Sequence, residues 1–416
     1  MKTIDDIVQI GVKNKQCIYE TGVKKVNDYL KLLNIDTDEF YEMVKSLPQL
    51  LGYDIISDKP TSVKSKLKFY KDTLSLIDSE LAKLIKSFPV LLSYDTISDK
   101  PTSVKSKLKF YKNTLSLTDN ELAKLIKSFP VLLGFDTMSD SPTSVKSKLK
   151  FYKDTLSLTD SELTKFIKSF PVLLGYDTIS NNPTSVKSKL NFYKNTLSLS
   201  DSELTKLIQS YPSLLSHDTV SDKPTSIKSK LKFYKDTLSL TDSELAKLIK
   251  SFPTLLGYDI VNIKEARTGI KVKLALLKQM GIEKETILEN PILLAYPATR
   301  IRFRFMMLKQ AYDKDTTSKS RYMMQSEDVL YARLRLILSK NDPNSLVDMI
   351  RGEQSFAKKY GVSSAQLKQK YPIDERAIDF VEKLYNTKNP DDNWHLTPIE
   401  RKAVLNKTKG EEYALS

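Results

Sequence analysis

The chain has 416 residues, and its 66 Lys plus Arg against 51 Asp plus Glu leave a net charge of +15. Hydrophobic residues at 40 % supply a core, which excludes wholesale disorder. One cysteine (Cys17) excludes a disulfide framework or a multi-cysteine metal site, and two histidines (His217, His395) leave no evident metal set or nucleophilic triad.

In chain order, the opening MKTIDDIVQIGVKN has neither a signal-peptide core nor the Arg-rich character of a transit peptide. No apolar run reaches the length of a membrane span. The expectation is a soluble intracellular chain without cofactor, metal or membrane contact. Residues 1–47 read as an N-terminal cap holding a partial repeat, with Asp36 and Glu39 at capping spacing.

From 48 to 258 the chain repeats itself. A proline recurs at Pro48, Pro89, Pro130, Pro171, Pro212 and Pro253, and another at Pro60, Pro101, Pro142, Pro183 and Pro224, always 41 residues apart. Five near-identical copies of this period predict an array of supersecondary units. In each, VKSKLKFYKNTL places apolar residues at helical spacing, as Val104, Leu108, Tyr111 and Leu115 do. Asp99, with Asp58, Asp140, Asn181 and Asp222 in the other copies, is expected to cap this helix. A second helix opens on a capping box, Thr118 to Glu121, Thr159 to Glu162, Ser200 to Glu203 and Thr241 to Glu244. Where Ile77 stands instead, Asp78 or Ser79 is expected to cap. The recurring proline ends that helix, and the VLL after it suits a single buried turn. No segment alternates with period two over a strand's length, so the fold class is all-α, a superhelical stack of repeats (an α-solenoid). Residues 259–384 read as divergent repeats, with MQSEDVLYARLRLILS a candidate first helix, and 385–416 as a polar tail.

The phrases ELAKLIKSFPVLL (121–133 and its copies), MGIEKETILENPILLAYPATRIRFR (280–304) and YGVSSAQLKQKYP (360–372) resemble the mitochondrial transcription termination factor (mTERF) family. The resemblance covers about residues 25–372. Two departures stand out: the period is lengthened in DTISDKPTS, and the family's glycine between helices is Ser in TLSL, kept only as Gly281 and Gly361. The resemblance implies a curved helical stack whose basic face binds DNA or RNA, in an organelle. The implied roles are transcription regulation, including termination, or RNA handling.

The residues suggest where binding would lie. With Val63 at zero and about 100° per residue, Lys64, Lys68 and Lys71 fall in one narrow stripe beside the apolar seam. The stripe returns as Lys105, Lys109 and Lys112, then Lys146, Lys150 and Lys153. It continues as Lys187 and Lys194, with Asn191 its single break, and as Lys228, Lys232 and Lys235. These lysines are the candidate nucleic-acid-binding residues; a solvated face is the alternative. Arginine clusters later, at Arg300, Arg302, Arg304, Arg333 and Arg335, where guanidinium forks are expected to grip phosphate or guanine most tightly; ordinary surface arginines on capping repeats are the equal alternative.

The Phe-Tyr pairs (Phe69-Tyr70 and its copies) read as inter-repeat packing rather than base-stacking platforms. His217 reads as an aromatic substitute, and Trp394 and His395 as local packing without partners. Positions that vary among copies, Asp72/Asn113 and Ala82/Thr164 for example, raise a one-base-per-repeat code, which recent duplication explains more simply. The reading is a monomeric, non-enzymatic nucleic-acid-binding array. The alternative is a protein-binding scaffold for an acidic partner.

Overall fold

The computed structural model describes residues 2–260, 269–279, 282–309, 326–341 and 343–388, with 395, 396, 398, 401, 402, 404 and 405 beyond them. Among the described residues every regular element is helical. They divide into two compact bodies, Met1–Lys194 with Ser200–Leu215, and Asn195–Leu199 with Ser216–Ser416. Each is built from one structural repeat: a first helix, a second helix and a 3₁₀ turn.

The repeat at Val104–Thr114, Asp119–Ser128 and Pro130–Gly134 shows how the sequence produces this. Val104, Leu108, Tyr111 and Leu115 are all buried, as their spacing predicts. The first helix is not capped by Asp99. Its N-cap is Ser103, whose Oγ accepts the Ser106 N–H at 3.2 Å. Ser62, Ser144 and Ser226 do the same in their repeats, and Ser185 accepts from the Ser188 N–H. The reason is positional: Pro101 lies in the turn before the helix, so Ser103 is the residue at its boundary.

The added DTISD segment folds on its own aspartate. Asp95 accepts the backbone N–H groups of Ile97 and Ser98 and the Ser98 hydroxyl. These bonds, the hydroxyl first, hold its carboxyl down at about 2. Val104 N–H then closes the loop on the Asp95 carbonyl at 2.8 Å.

The two helices meet at Ser116, whose φ of 48° lies in the left-handed region; Ser75, Ser157, Ser198 and Ser239 sit at 48–50°. These serines hold the conformation that a glycine adopts without steric cost. Gly361 takes it at 68° in the C-terminal body, and Gly281 lies outside the described residues. The capping boxes form as read at Thr118, Thr159, Ser200, Thr241 and Asp36. At Ile77 neither Asp78 nor Ser79 caps. Ile77 itself occupies the N-cap, and only Glu80 reaching back to its N–H (3.3 Å) remains.

The 3₁₀ turn is held from the first helix by a paired donor that the lysine stripe did not include. Lys107 Nζ donates to the Leu133 carbonyl at 2.8 Å, and Tyr111 Oη to the neighbouring Leu132 carbonyl at 2.9 Å. The two donors are one helical turn apart, so they reach adjacent carbonyls of one short turn. The clamp recurs as Lys66 with Tyr70, Lys148 with Tyr152, Lys189 with Tyr193 and Lys230 with Tyr234. It is also present as Lys25 with Tyr29, on Leu51 and Leu50. The N-terminal residues are therefore a whole repeat (Tyr19–Leu33, Thr37–Ser46, Pro48–Gly52) preceded by the helix Ile4–Lys13, not the later part of one.

Repeats lock to one another through the capping-box carboxylates. Glu80 caps its own helix and accepts Lys127 Nζ of the next repeat at 2.8 Å; Lys86 joins Glu39 and Lys168 joins Glu121 likewise. The varying Ala/Thr position also lies at this seam. Ala82 and Ala123 are buried, and the Thr164 and Thr205 hydroxyls donate to the carbonyls of Leu115 and Leu156 in the preceding repeats, each at 3.0 Å. That position packs, and is not placed to read a base.

In the C-terminal body the pattern continues as Ile270–Gln279, Lys284–Glu289 and Pro291–Ala295, where Lys273 donates to Leu294 O at 2.9 Å and Leu277 replaces the tyrosine. The helices Ala298–Lys309, Glu327–Ser339, Glu353–Tyr360, Ser364–Lys370 and Glu375–Lys388 follow. Most of 385–416, with Trp394, lies outside the described residues. His395 faces Glu382 at 3.5 Å, so it is not without a partner.

Three outcomes are expected. Tyr111→Phe removes the shorter of two bonds to the Leu132 carbonyl, leaving the one from the Phe135 N–H at 3.2 Å, and costs about 1 kcal/mol, read as a lower urea midpoint. Ser116→Gly raises stability by up to about 1 kcal/mol and Ser116→Val lowers it, both by thermal denaturation. The third concerns pH. Burial raises the clamp tyrosines above their ordinary 10.0, so the unfolded chain releases protons first and stability falls as pH climbs past that value. Lys273 acts with opposite sign: burial lowers it from 10.5 to about 8, so over that window rising pH adds stability. A urea-midpoint series across pH should therefore rise gently, then drop steeply above about 10.

Candidate nucleic-acid interface

The lysine stripe emerges on the solvent side of each first helix, but its members are not equivalent. The leading lysine of four copies pairs with the loop aspartate once expected to cap the helix: Lys64 with Asp58 at 3.1 Å, Lys105 with Asp99 and Lys146 with Asp140 at 2.8 Å, Lys228 with Asp222 at 2.7 Å. The trailing lysine pairs with the first aspartate of the second helix: Lys71 with Asp78, Lys112 with Asp119, Lys153 with Asp160, Lys194 with Asp201 and Lys235 with Asp242, all at 2.6 Å. The aspartates and leading lysines are exposed and the trailing lysines half-buried, so such pairs hold side-chain geometry more than they stabilise the fold.

The middle lysines, Lys68, Lys109, Lys150 and Lys232, are exposed and, among the described residues, form no ion pair. In the fourth copy Asn191 takes that place and Lys187 contacts the uncharged Asn181 Oδ1 at 3.3 Å.

A fourth lysine in VKSKLKFYK, the clamp residue at 66, 107, 148, 189 or 230, is buried at 5–9 % exposure. It lies over the ring that ends the preceding repeat's turn: Lys107 Nζ is 5.7 Å from the Tyr94 centroid, and Lys148 is 5.8 Å from that of Phe135. Desolvation lowers the pKa of Lys66, Lys107, Lys148 and Lys230. His217 occupies this ring position after its own turn, as expected of an aromatic substitute. Helical angle could have exposed these clamp lysines: with Val63 at zero, Lys66 lies at about 300°, at the edge of the buried seam rather than in the exposed stripe.

Within the aromatic pairs the tyrosines are core and the phenylalanines half-buried. Tyr70, Tyr111, Tyr152, Tyr193 and Tyr234 are fully buried, and each adjacent phenylalanine meets its tyrosine edge-on.

The arginines correct the sequence expectation. Arg304 is buried, donates to Glu327 at 3.0 Å and lies over Tyr296. Arg300 joins the same Glu327. Arg333 is buried, bonds Ser364 Oγ, the Met349 and Arg351 carbonyls and Glu353, and stacks on Phe356. Arg335 is packed among Tyr331, Tyr371 and Phe380, and Arg302 is half-buried on the Arg304 helix. Guanidiniums serve here because five fixed donors can satisfy several buried acceptors at once. A phosphate reaches neither Arg304 nor Arg333 without opening the body. Arg333→Ala, which strands Glu353 and the acceptors around it, should cost about 3–5 kcal/mol as a lowered melting transition. The salt slope of any nucleic-acid complex should stay unchanged.

Among the described residues no cluster of His, Cys, Asp or Glu is placed to hold a metal ion, and no helix is long and apolar enough to cross a membrane. No curated protein matches the chain. A family model described as mTERF matches residues 8–181 and, in a second overlapping segment, 102–330. Those segments take in the proline-ended second helices, the 3₁₀ turns and their clamps, and the chain belongs to the mTERF family.

Proposed function

We propose that this array binds nucleic acid, duplex DNA or structured RNA, through the exposed lysines of its first helices. Its role is regulatory or architectural, in transcription or RNA handling, and the chain performs no chemistry of its own. The observation that carries this reading is a division within each first helix. Its tyrosine is buried in the core with the phenylalanine half-buried against it, while its leading and middle lysines stay in solvent. That arrangement serves recognition of the phosphate backbone rather than base stacking, and family membership points the same way.

Affinity should then be electrostatic and steeply salt-dependent. The rival reading, an acidic protein partner, draws on one exposed aliphatic side chain per loop (Ile56, Ile97, Met138, Ile179), which could serve a peptide beside the lysines.

The test is a titration of the whole chain with duplex DNA, duplex RNA, single-stranded RNA and poly-glutamate at about 50 and 200 mM salt. The reading predicts that one of the two duplexes binds well above poly-glutamate and weakens at least tenfold across that range. Equal or tighter binding of poly-glutamate would overturn it in favour of the acidic partner.

A further inference from the structure

Resting on the nucleic-acid reading, a finer assignment follows from charge accounting on the first helices. We propose that the array makes one phosphate contact per repeat, through the single stripe lysine that forms no ion pair with a carboxylate. In the N-terminal body these are Lys68, Lys109, Lys150 and Lys187.

A phosphate approaching Lys105 or Lys112 also meets Asp99 or Asp119, each within 2.8 Å of the ammonium and largely exposed. Attraction to the lysine is offset by repulsion from its partner, so a paired lysine releases little net counterion. The middle lysine forms no ion pair, although Asp99 lies within electrostatic reach of Lys109 and Asp72 and Asp154 stand one turn beyond Lys68 and Lys150, and it lies between two paired positions. Carboxylates on both sides would repel a strand that strays, and so keep it on the middle row.

The fourth copy supplies an independent observation. There the middle lysine is lost to Asn191, and the leading lysine's aspartate is replaced by Asn181. Asn181 still accepts from Lys187 but brings no negative charge. Two substitutions, either of which alone would change the count, together leave one uncompensated stripe lysine in that repeat. Lys194 there stays paired with Asp201 at 2.6 Å. A merely solubilising face has no reason to conserve that number.

The second helices carry their own exposed lysine per repeat, Lys83, Lys124, Lys165 and Lys206, and these are the competing row.

The experiment measures log K against log salt for the full chain on duplex DNA and on duplex RNA, with four variants. Replacing Lys68, Lys109, Lys150 and Lys187 by Ala should flatten the slope on the bound nucleic acid by about 3–4, at roughly 0.9 per phosphate on B-DNA. Replacing the paired Lys71, Lys112, Lys153 and Lys194, or the second-helix Lys83, Lys124, Lys165 and Lys206, removes the same formal charge. Either should flatten it by less than about 1. The fourth variant, Asp99→Asn with Asp140→Asn, uncovers two lysines and should steepen it by about 2; being a gain, this cannot come from misfolding. Equal flattening by either control set, or no steepening in the aspartate variant, overturns the assignment while leaving nucleic-acid binding intact. Absence of binding to both duplexes overturns the proposed function itself.

Discussion

The structure depends on how each 3₁₀ turn disposes of its last two leucine carbonyls. Prolines at Pro89, Pro130 and Pro171 end the second helix and start a turn that meets its first leucine carbonyl only through the closing ring residue's N–H, at 3.2–3.3 Å, and leaves the second to a partner outside it. The leucines are buried, so water is not at hand, and an unmet carbonyl there would be costly. From the first helix a lysine reaches the second carbonyl, and a tyrosine adds a shorter bond to the first. The clamp thereby ties the beginning of each repeat to its end and sets where the next loop departs. Its lysine also touches the ring closing the previous turn, so one side chain joins within and between repeats.

The same helix thus uses lysine for three purposes, separated by angle. The clamp lysine points inward and gives up hydration for a carbonyl and a ring. The leading and trailing lysines are tied to aspartates at either end, which fixes the loop and the helix–helix corner. The middle lysine is left to solvent. The count of 66 basic residues therefore overstates the charge offered to a partner, because many of the lysines are already paired or buried. Arginine, by contrast, serves as internal bracing of the divergent repeats, where single side chains must satisfy several buried acceptors.

Much of this was legible before the structure. Period, apolar spacing and capping boxes are local, and they gave the helices, their order and the buried tyrosines directly. What stayed hidden depends on partners distant in the chain. Lys66 is close to Lys64 in sequence, yet its fate is decided by Leu92; Asp99 resembles a cap, yet its role is decided by Lys105. Arg304 and Arg333 looked like phosphate ligands because nothing local reveals that Glu327 and Glu353 reach them. The stripe does lie on the outer side of each first helix, but it carries less free charge than a helical projection suggests, since pairing across loops does not appear there.

The most direct test of this division is the chemical reactivity of the lysines by position, measured with an acetylating reagent and mass spectrometry, with and without the bound duplex. The account predicts three classes. Lys66, Lys107 and Lys148 should resist the reagent in both states, and Lys71, Lys112 and Lys153 should react in both. Lys68, Lys109, Lys150 and Lys187 should react freely until the duplex protects them. Uniform protection of all exposed positions, or reaction of the clamp lysines in the folded chain, would contradict it.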